Sequence, residues 1–271
     1  MILPDFVLLS QINQNCEYSG LDSPECCLDK QHFLNYPHKV SYDYNSRGFR
    51  DSEWPTSMQE LRRNIWCVGD SFTVGLGSPR AHTWTYLLQQ DTGLRTMNIS
   101  MDGASNNWIA RKAVKILQEI QPNFLILHWS YVWRREQDVG SLIDKLNNAD
   151  NNIQLPQWAL DEIAKSHSDW NSGDLCLDEY RRMQFVPCDN QNDVDNILAC
   201  IRMVNELADQ CRIIHSFIPQ YVYRHLKEII PAQIQGLVVP EFDVLDLARD
   251  GHHYDLLTSQ AFVDQLMPLL K

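Results

Sequence analysis

The strongest constraint on the fold is a regular alternation of short apolar runs with amphipathic segments. Continuous apolar runs of this length are typical of strands buried on both faces of a parallel sheet. The predicted strands are 64–68, 95–100, 123–130, 211–219 and 236–247. The predicted helices are 83–93, 106–122, 193–210, 221–229 and 258–270. Alternation at this spacing predicts an α/β protein with three layers, α/β/α, around a central parallel sheet.

Two stretches do not follow this alternation. Residues 1–60 are irregular and rich in Asn, Ser, Pro and Tyr, and residues 131–190 are rich in Asn, Asp, Ser and Trp. We interpret 131–190 as an insert or lid bordering the functional site. A chain of 271 residues then forms one domain, spanning 1–271, with a core large enough to need no disulfides.

Charge and composition exclude several functions and indicate a compartment. There are 35 acidic against 23 basic residues, a net charge of −12, and no Lys/Arg-rich run, which argues against nucleic-acid binding. No apolar stretch approaches the length of a membrane-spanning helix. The first residues, "MILPDFVLLSQINQ", lack the basic region and cleavage site of a signal peptide, and the eight cysteines form no C-x-x-C pair. We therefore predict a reduced, cytoplasmic protein.

Polar residues follow the predicted strands at their carboxyl ends, where the loops of a parallel sheet collect reactive groups. The first strand runs into the stretch "CVGDSFTVGLG", from Cys67 to Gly77. The polar groups and glycines after the strands are Gly69, Asp70 and Ser71; Asp102, Gly103 and Ser105; His128 and Ser130; and Asp250, Gly251, His252 and His253. One nucleophile, one base and several small hydrogen-bond donors are thus predicted at one rim.

Ser71, His253 and Asp250 have the chemistry of a nucleophile, a base and a group that orients the base. A serine hydroxyl becomes a good nucleophile when a neighbouring imidazole takes its proton. Asp250 precedes His253 by three residues, so one tight turn brings its carboxylate to the ring. Glycines beside the serine allow backbone N–H groups to approach a developing oxyanion.

Other readings of these residues remain open from the sequence. Ser71 could simply cap a helix, because Asp-Ser is favourable capping chemistry. His252, next to His253, is an alternative base. His252, His253 and Asp255 together raise the alternative of a metal site, although no further ligand spacing supports it.

Three motifs together resemble the SGNH, or GDSL-type, hydrolase family. They are "GDSFTVGLG" at 69–77, "NISMDGASNN" at 98–107 and "DGHHYD" at 250–255, and "YNSRGFRDSEWP" at 44–55 resembles a segment in some bacterial and phage members. The resemblance covers roughly 44–130 and 240–271. It implies a flavodoxin-like sheet without metal or organic cofactor. It also implies that Ser71 is the nucleophile, His253 the base, Asp250 its partner and Asp70 a brace for the nucleophile loop, with oxyanion donors on the N–H groups of Ser71 and Gly103.

The third block of the family departs from its usual pattern. That block is usually Gly-x-Asn-Asp, and its Asn supplies a third oxyanion donor. Here the corresponding residues are "HWSY", which places Ser130 at the Asn position. We predict that the shorter Ser130 side chain, or another side chain nearby, donates to the oxyanion instead, or else that the enzyme is slow on generic esters.

The expected activity is hydrolysis of a carboxylic ester through an acyl-serine intermediate. The partner is a small-molecule or carbohydrate ester, and an O-acetyl group on a carbohydrate is the preferred substrate class. Trp129 and Trp133, with Arg134, are candidates to line a sugar cleft or, equally, to be core and rim residues. An acyltransferase with the same serine chemistry and a catalytically silent carbohydrate-binding module are the alternatives. The sequence does not indicate an oligomeric state.

Overall fold

The central layer is a five-stranded parallel sheet. The computed structural model describes residues 6–8, 11–132, 134, 190–208, 211–219, 237–238 and 244–271. Two short strands, β1 (Asn15–Cys16) and β2 (Tyr42–Asp43), form a separate antiparallel pair. The central strands are β3 (Ile65–Gly69), β4 (Thr96–Ser100), β5 (Phe124–Trp129), β6 (Arg212–Phe217) and β7 (Leu237–Val238). Their spatial order is β4-β3-β5-β6-β7, all parallel, which confirms the predicted α/β class.

The described helices flank this sheet. They are α1 (Lys30–Asn35), α2 (Met58–Arg63), α3 (Ser71–Val74), α4 (Trp84–Thr92), α5 (Asn106–Glu119), α6 (Asn190–Asn205) and α7 (Leu256–Leu266), with 3₁₀ turns at Arg80–His82 and Met267–Leu270. The predicted strands before residue 220 agree with the structure to within one or two residues. The predicted helix at 221–229 lies outside the described residues.

One predicted strand is only partly confirmed. Within 236–247, Leu237–Val238 pairs with β6, but Val244 to Asp246 have no regular structure. The Asp246 carboxylate instead caps α7, accepting hydrogen bonds from the backbone N–H groups of Leu257 and Thr258 at its start. The apolar pattern there does not reveal this capping role.

Two buried histidines mark the two covered faces of the sheet. The His128 ring, on β5, lies against the rings of Trp84 in α4 and Phe262 in α7. His215, on β6, faces the other way, and its Nε2 lies 2.8 Å from Oδ1 of Asn205 at the end of α6. Helices therefore cover both faces, as a three-layer arrangement requires.

The amino-terminal segment is part of the core. Phe6 and Leu8 are buried in the main apolar cluster, and the Phe6 ring packs against Trp54 and Trp66. Tyr42, Tyr44 and Trp54 are also buried, so this segment packs on the fold. The region predicted to be irregular, 1–60, also contains α1, β1 and β2.

The predicted insert, 131–190, lies almost entirely outside the described residues, which include only 131, 132, 134 and 190 of it. Its position relative to the site therefore stays a prediction. Among the described helices, none is both long and apolar enough to cross a membrane. The six cysteines in the described ranges form no disulfide.

Candidate active site

Ser71 stands at a sharp turn between β3 and α3. Strand β3 ends at Gly69, Asp70 caps α3 by accepting a hydrogen bond from Phe72 N–H at 3.1 Å, and Ser71 is the first helical residue. A Cβ atom on Gly69 would lie 2.0 Å from Oγ1 of Thr73, so only glycine permits a turn this tight. The turn places Ser71 at the carboxyl end of β3, between β4 and β5, where strand order reverses and ligands of such sheets bind.

The three residues predicted to cooperate form a continuous hydrogen-bonded chain. Oγ of Ser71 lies 2.7 Å from Nε2 of His253, and Nδ1 of His253 lies 2.5 Å from Oδ2 of Asp250. An ionised carboxylate can only accept, so Nδ1–H donates to Asp250. In the neutral imidazole Nε2 is then the acceptor, and the Ser71 hydroxyl donates to it. This is the tautomer that a base toward serine needs.

Burial and charge act in opposite directions on the histidine and aspartate. Burial lowers the pKa of His253, but the carboxylate of Asp250, with smaller contributions from Asp102 and Asp70, outweighs it, so that the pKa is raised above 6.5. For Asp250, burial raises the pKa, but His253 and the backbone N–H groups hold it below 3.8. Asp250 is therefore a carboxylate placed to stabilise an imidazolium on His253.

Backbone N–H groups in the loop that carries Asp250 and His253 fix the position of the Asp250 carboxylate. Oδ1 of Asp250 accepts hydrogen bonds from the N–H groups of His252 at 2.9 Å and His253 at 3.0 Å. The ends of the loop are joined by an antiparallel bridge between Leu247 and Tyr254. Asp250 is fully buried, so its position is set by these bonds and not by solvent.

Gly77 allows the serine and histidine loops to meet. Its carbonyl accepts a hydrogen bond from Arg249 N–H at 2.9 Å. A Cβ atom on Gly77 would lie 2.8 Å from Cβ of Ala248 and 3.0 Å from Cγ of Asp250, and its φ is +73°. The last glycine of the "GLG" stretch therefore admits the Asp250 loop.

The amino-terminal segment forms hydrogen bonds with the loop that carries His253. The Arg249 guanidinium donates to both carboxylate oxygens of Asp22, at 2.8 and 2.7 Å, and Asp22 is fully buried. Nε2 of His32 lies 2.8 Å from the carbonyl oxygen of Ala248. Nothing local in the sequence predicts these contacts, because more than 200 residues separate the partners.

Arg50, from the segment "YNSRGFRDSEWP", supports the serine loop in the same way. Its buried guanidinium donates to the carbonyl groups of Val74, Gly75 and Ser78 and to that of Ser41. Val74 ends α3, and Gly75 and Ser78 follow it, so Arg50 holds the chain that leaves the helix of Ser71. This gives a physical reason for the segment to precede the nucleophile.

Two backbone N–H groups remain available near Ser71. In the described part of the chain, the N–H groups of Ser71 and Gly103 donate to no protein acceptor. Gly103 follows the end of β4, whose Ser100 lies opposite Gly69 in the sheet register. The two loops are also joined by a hydrogen bond from Met101 N–H to the Gly69 carbonyl. Both groups predicted as oxyanion donors thus follow neighbouring strands.

The Ser130 hydroxyl, predicted as an oxyanion donor, contacts Asp70. Its hydroxyl lies 2.5 Å from Oδ2 of Asp70, which as a carboxylate can only accept, so the single hydroxyl hydrogen points to Asp70 and not toward an oxyanion. Arg134 adds a second contact, with Nη1 3.1 Å from the same Asp70 oxygen and 3.1 Å from Ser130 Oγ. Ser130 is therefore placed to hold Asp70, and through it the start of α3.

The three residues proposed to line a sugar cleft lie in different surroundings. Trp129 is fully buried, with its ring stacked parallel to His215 at 5.9 Å, so it is a core residue and not a cleft residue. Trp133 lies outside the described residues. Arg134 lies near the site, over the Tyr131 ring and beside Asp70.

Sequence reasoning missed the aromatic surroundings of His253. The Phe72 ring lies 4.6 Å from His253 and contacts Tyr254 and Tyr131. Nε2 of His252 lies 2.9 Å from the Tyr131 hydroxyl, whereas Nε2 of His253 lies 2.7 Å from Oγ of Ser71. The only sequence signal for this cluster is the proximity of Phe72 and Tyr131 to the motif residues.

Comparisons with known proteins find similarity in solved structures only. No family model matches the chain, and no curated protein does. The structure of TesA is similar, with a TM-score of 0.40 and 15% identity over 77% of this chain and 98% of TesA. A Bacteroides fragilis protein to which acylhydrolase activity is ascribed has a TM-score of 0.45 and 9% identity over 81% of this chain and 98% of its own. LAE5, an α/β hydrolase from the metagenome of Lake Arreo in Spain, has a TM-score of 0.31 and 15% identity over 77% and 94%.

Proposed function

We propose that the protein is a serine hydrolase that cleaves carboxylic esters through an acyl-serine intermediate. The observation that carries this proposal is the chain Ser71 Oγ, His253 and Asp250, with links of 2.7 and 2.5 Å. Such a chain is the arrangement that activates a serine hydroxyl. A helix cap alone would not need a buried histidine and carboxylate aligned behind the hydroxyl.

In the first half of the reaction, Ser71 Oγ forms a bond to the ester carbonyl carbon while His253 Nε2 takes the hydroxyl proton. The carbonyl π electrons move to the oxygen, which the N–H groups of Ser71 and Gly103 stabilise. As the tetrahedral intermediate collapses, the bond to the alcohol oxygen breaks and His253 returns the proton to that oxygen. The alcohol leaves, and the acyl group remains on Ser71.

In the second half, water replaces the alcohol. His253 takes a proton from water as its oxygen attacks the acyl carbon, and the bond to Ser71 Oγ then breaks. The proton returns to Ser71, and a carboxylic acid is released. Asp250 stays ionised throughout and stabilises the imidazolium formed in each half.

The oxyanion site has two backbone donors in this proposal, and Ser130 is a positioning residue. Loss of one oxyanion donor typically costs about 10²–10³ in rate. We therefore expect slower turnover of generic esters than a site with three donors would give. Asp70, held by Ser130 and Arg134, keeps the Ser71 N–H in place.

The substrate class that we favour is a short acyl ester, with an O-acetyl group on a carbohydrate as the first choice. This choice rests on the resemblance to SGNH hydrolases, and the burial of Trp129 removes one of the aromatic residues that supported it. Acyl transfer to a sugar hydroxyl would use the same first half-reaction. The two activities differ only in whether water or an alcohol attacks the acyl-serine.

Fluorophosphonate labelling combined with ester hydrolysis tests this proposal. We expect the probe to modify Ser71, identified by peptide mass spectrometry, and labelling to be lost in Ser71→Ala and His253→Ala. p-Nitrophenyl acetate should be hydrolysed with the same dependence on both residues. Acetylated oligosaccharides, with and without a sugar acceptor, then separate hydrolysis from transfer. A folded protein that neither labels nor hydrolyses any ester, but binds oligosaccharide, would make the silent binding module correct.

A further inference from the structure

A second cluster of ligating side chains lies outside the Ser71 site. His38, His82 and Asp255 each offer one nitrogen or oxygen atom, and these three atoms lie within 4.8 Å of one another. Nδ1 of His82 is 2.7 Å from Oδ1 of Asp255, and the His38 and His82 rings meet edge to face at 4.8 Å. The three residues come from separate segments: the loop after α1, the 3₁₀ turn Arg80–His82, and the residue before α7.

The Asp255 side chain does not make the helix-capping hydrogen bond that its position predicts. It is the N-cap residue of α7, yet its side chain accepts no capping hydrogen bond, whereas Asp29, the N-cap of α1, accepts two. Asp246 caps α7 instead, because its carboxylate accepts hydrogen bonds from the N–H groups of Leu257 and Thr258. The Asp255 carboxylate can therefore turn to the two histidines.

The polar groups behind Asp255 suit a ligand carboxylate. Oδ2 accepts a hydrogen bond from the Tyr36 hydroxyl at 2.7 Å. The hydroxyl oxygen of Ser78 lies 3.3 Å from Oδ1. Such outer partners fix the orientation of metal-ligating side chains. Asp255 is buried and His38 is exposed, so the cluster is anchored at its base and open to solvent at its rim.

We propose that His38, His82 and Asp255 bind a zinc-type divalent transition-metal ion. Two imidazoles and a carboxylate form a donor set that zinc takes, with water in the fourth position. At metal–ligand bonds of about 2.0–2.1 Å, tetrahedral ligand atoms are about 3.3 Å apart. The His82–Asp255 contact of 2.7 Å must then widen by about 0.6 Å, and the longer separations must close from at most 4.8 Å.

The ion would join three segments around the catalytic loops without entering the reaction. Asp255 lies two residues after His253, and the Ser78 hydroxyl donates its one hydrogen to the Tyr254 carbonyl at 2.6 Å. A bound ion would tie the amino-terminal segment to these loops. The sequence alternative of a site made from His252, His253 and Asp255 differs from this one, because His253 is bound to Ser71 and Asp250. The inference does not depend on ester hydrolysis.

Zn²⁺ titration of the whole chain, stripped of metal by a chelator, tests the proposal. We expect one equivalent to bind by calorimetry and to raise the thermal unfolding temperature. His38→Ala and His82→Ala should each weaken binding by at least about tenfold, since even outer partners of a metal contribute that much. Lys39→Ala, the exposed neighbour of His38, is the matched control and should bind as the parent does. Co²⁺ should give the visible spectrum of a tetrahedral site in the parent and not in His82→Ala.

Two results would overturn the proposal. Equal Zn²⁺ binding by His38→Ala and Lys39→Ala would mean adventitious binding only, with the cluster serving as a hydrogen-bonded contact. Loss of the first equivalent in His252→Ala would place the ion beside Ser71 instead. If His82→Ala fails to fold, His38→Ala still tests the proposal, because His38 is exposed and its replacement should leave the fold intact.

Discussion

The hydroxyl of Ser130 lies 2.5 Å from the carboxylate of Asp70, and its one hydrogen is donated to that carboxylate. If Ser130 only positions Asp70, Ser130→Ala should lower kcat by less than about tenfold. Removing an oxyanion donor would cost about 10²–10³. The measurement is kcat and KM on p-nitrophenyl acetate.

Thr73→Val is the matched control for Ser130→Ala. The Thr73 hydroxyl is buried in α3 and has no hydrogen-bond partner among the described residues, so its removal should lower neither kcat nor the free energy of unfolding. A loss of kcat in Ser130→Ala as large as that of a missing oxyanion donor would return Ser130 to the role predicted from the sequence.

Ser71 and His253 should behave as one unit. We expect Ser71→Ala and His253→Ala each to lower kcat by about 10⁶-fold, and the double variant to be no worse, because either change removes the activated nucleophile. Asp250→Ala should leave more activity, with a loss of about 10⁴-fold. His252→Ala, whose ring contacts Tyr131 and not Ser71, should stay within about tenfold of the parent, or about 1.4 kcal/mol. An inactive His252→Ala beside an active His253→Ala would exchange the two histidines.

Gly77→Ala should disturb both folding and catalysis. The new Cβ would lie 3.0 Å from Cγ of Asp250 at a φ of +73°, so we expect a loss of at least about 2 kcal/mol in the free energy of unfolding and a lower kcat. Gly93→Ala is the control: its φ is +68°, but nothing lies within 4 Å, so only about 1 kcal/mol of backbone strain applies. Urea unfolding and ester kinetics check both. Equal effects of the two variants would contradict the close approach that we describe.

The pair Arg249–Asp22 should contribute more to stability than a surface pair. Asp22→Asn leaves Arg249 with a weakened partner in a buried contact, and we expect a loss of about 3 kcal/mol in the free energy of unfolding. The control is Lys115→Ala, whose pairing with Glu119 on α5 is partly exposed to solvent and should matter by less than about 0.5 kcal/mol. Similar losses in the two variants would show that the amino-terminal segment does not hold the histidine loop.

His215 should make the fold sensitive to acid. Burial lowers its pKa from 6.5 to about 3, and Trp129 Nε1–H donates to its Nδ1, which therefore has to be unprotonated. Because the unfolded chain binds a proton near pH 6.5 and the folded one does not, stability falls as pH drops from about 6.5 toward 3, by up to roughly 4 kcal/mol.

Urea unfolding across this pH range, with His215→Gln for comparison, measures the effect of His215. The variant should show a shallower fall in stability. ¹⁵N chemical shifts of the His215 ring should report a neutral imidazole throughout the range above its lowered pKa. A ring that titrates near 6.5 would contradict the prediction.

The alternation of apolar runs and helices predicted the sheet because periodicity is a local property. A strand such as 123–130, covered on both faces, is apolar throughout, and its neighbours in sequence are enough to reveal it. The pairing of "GDS" with "DGHH" likewise predicted Ser71, His253 and Asp250 as neighbours, since parallel strands bring their carboxyl ends to one rim.

Where a side chain points could not be predicted in this way. Ser130 is held by Asp70, Trp129 is stacked on His215, and Asp255 is turned toward His82, and each partner lies 60 or more residues away in the chain. A hydroxyl has one hydrogen and a carboxylate a limited number of favourable approaches, so the choice among partners depends on which of them packing brings within about 3 Å. The sequence alone determined which chemistry is present and on which strand ends; only the tertiary structure decided which groups face Ser71 and which hold the loops around it.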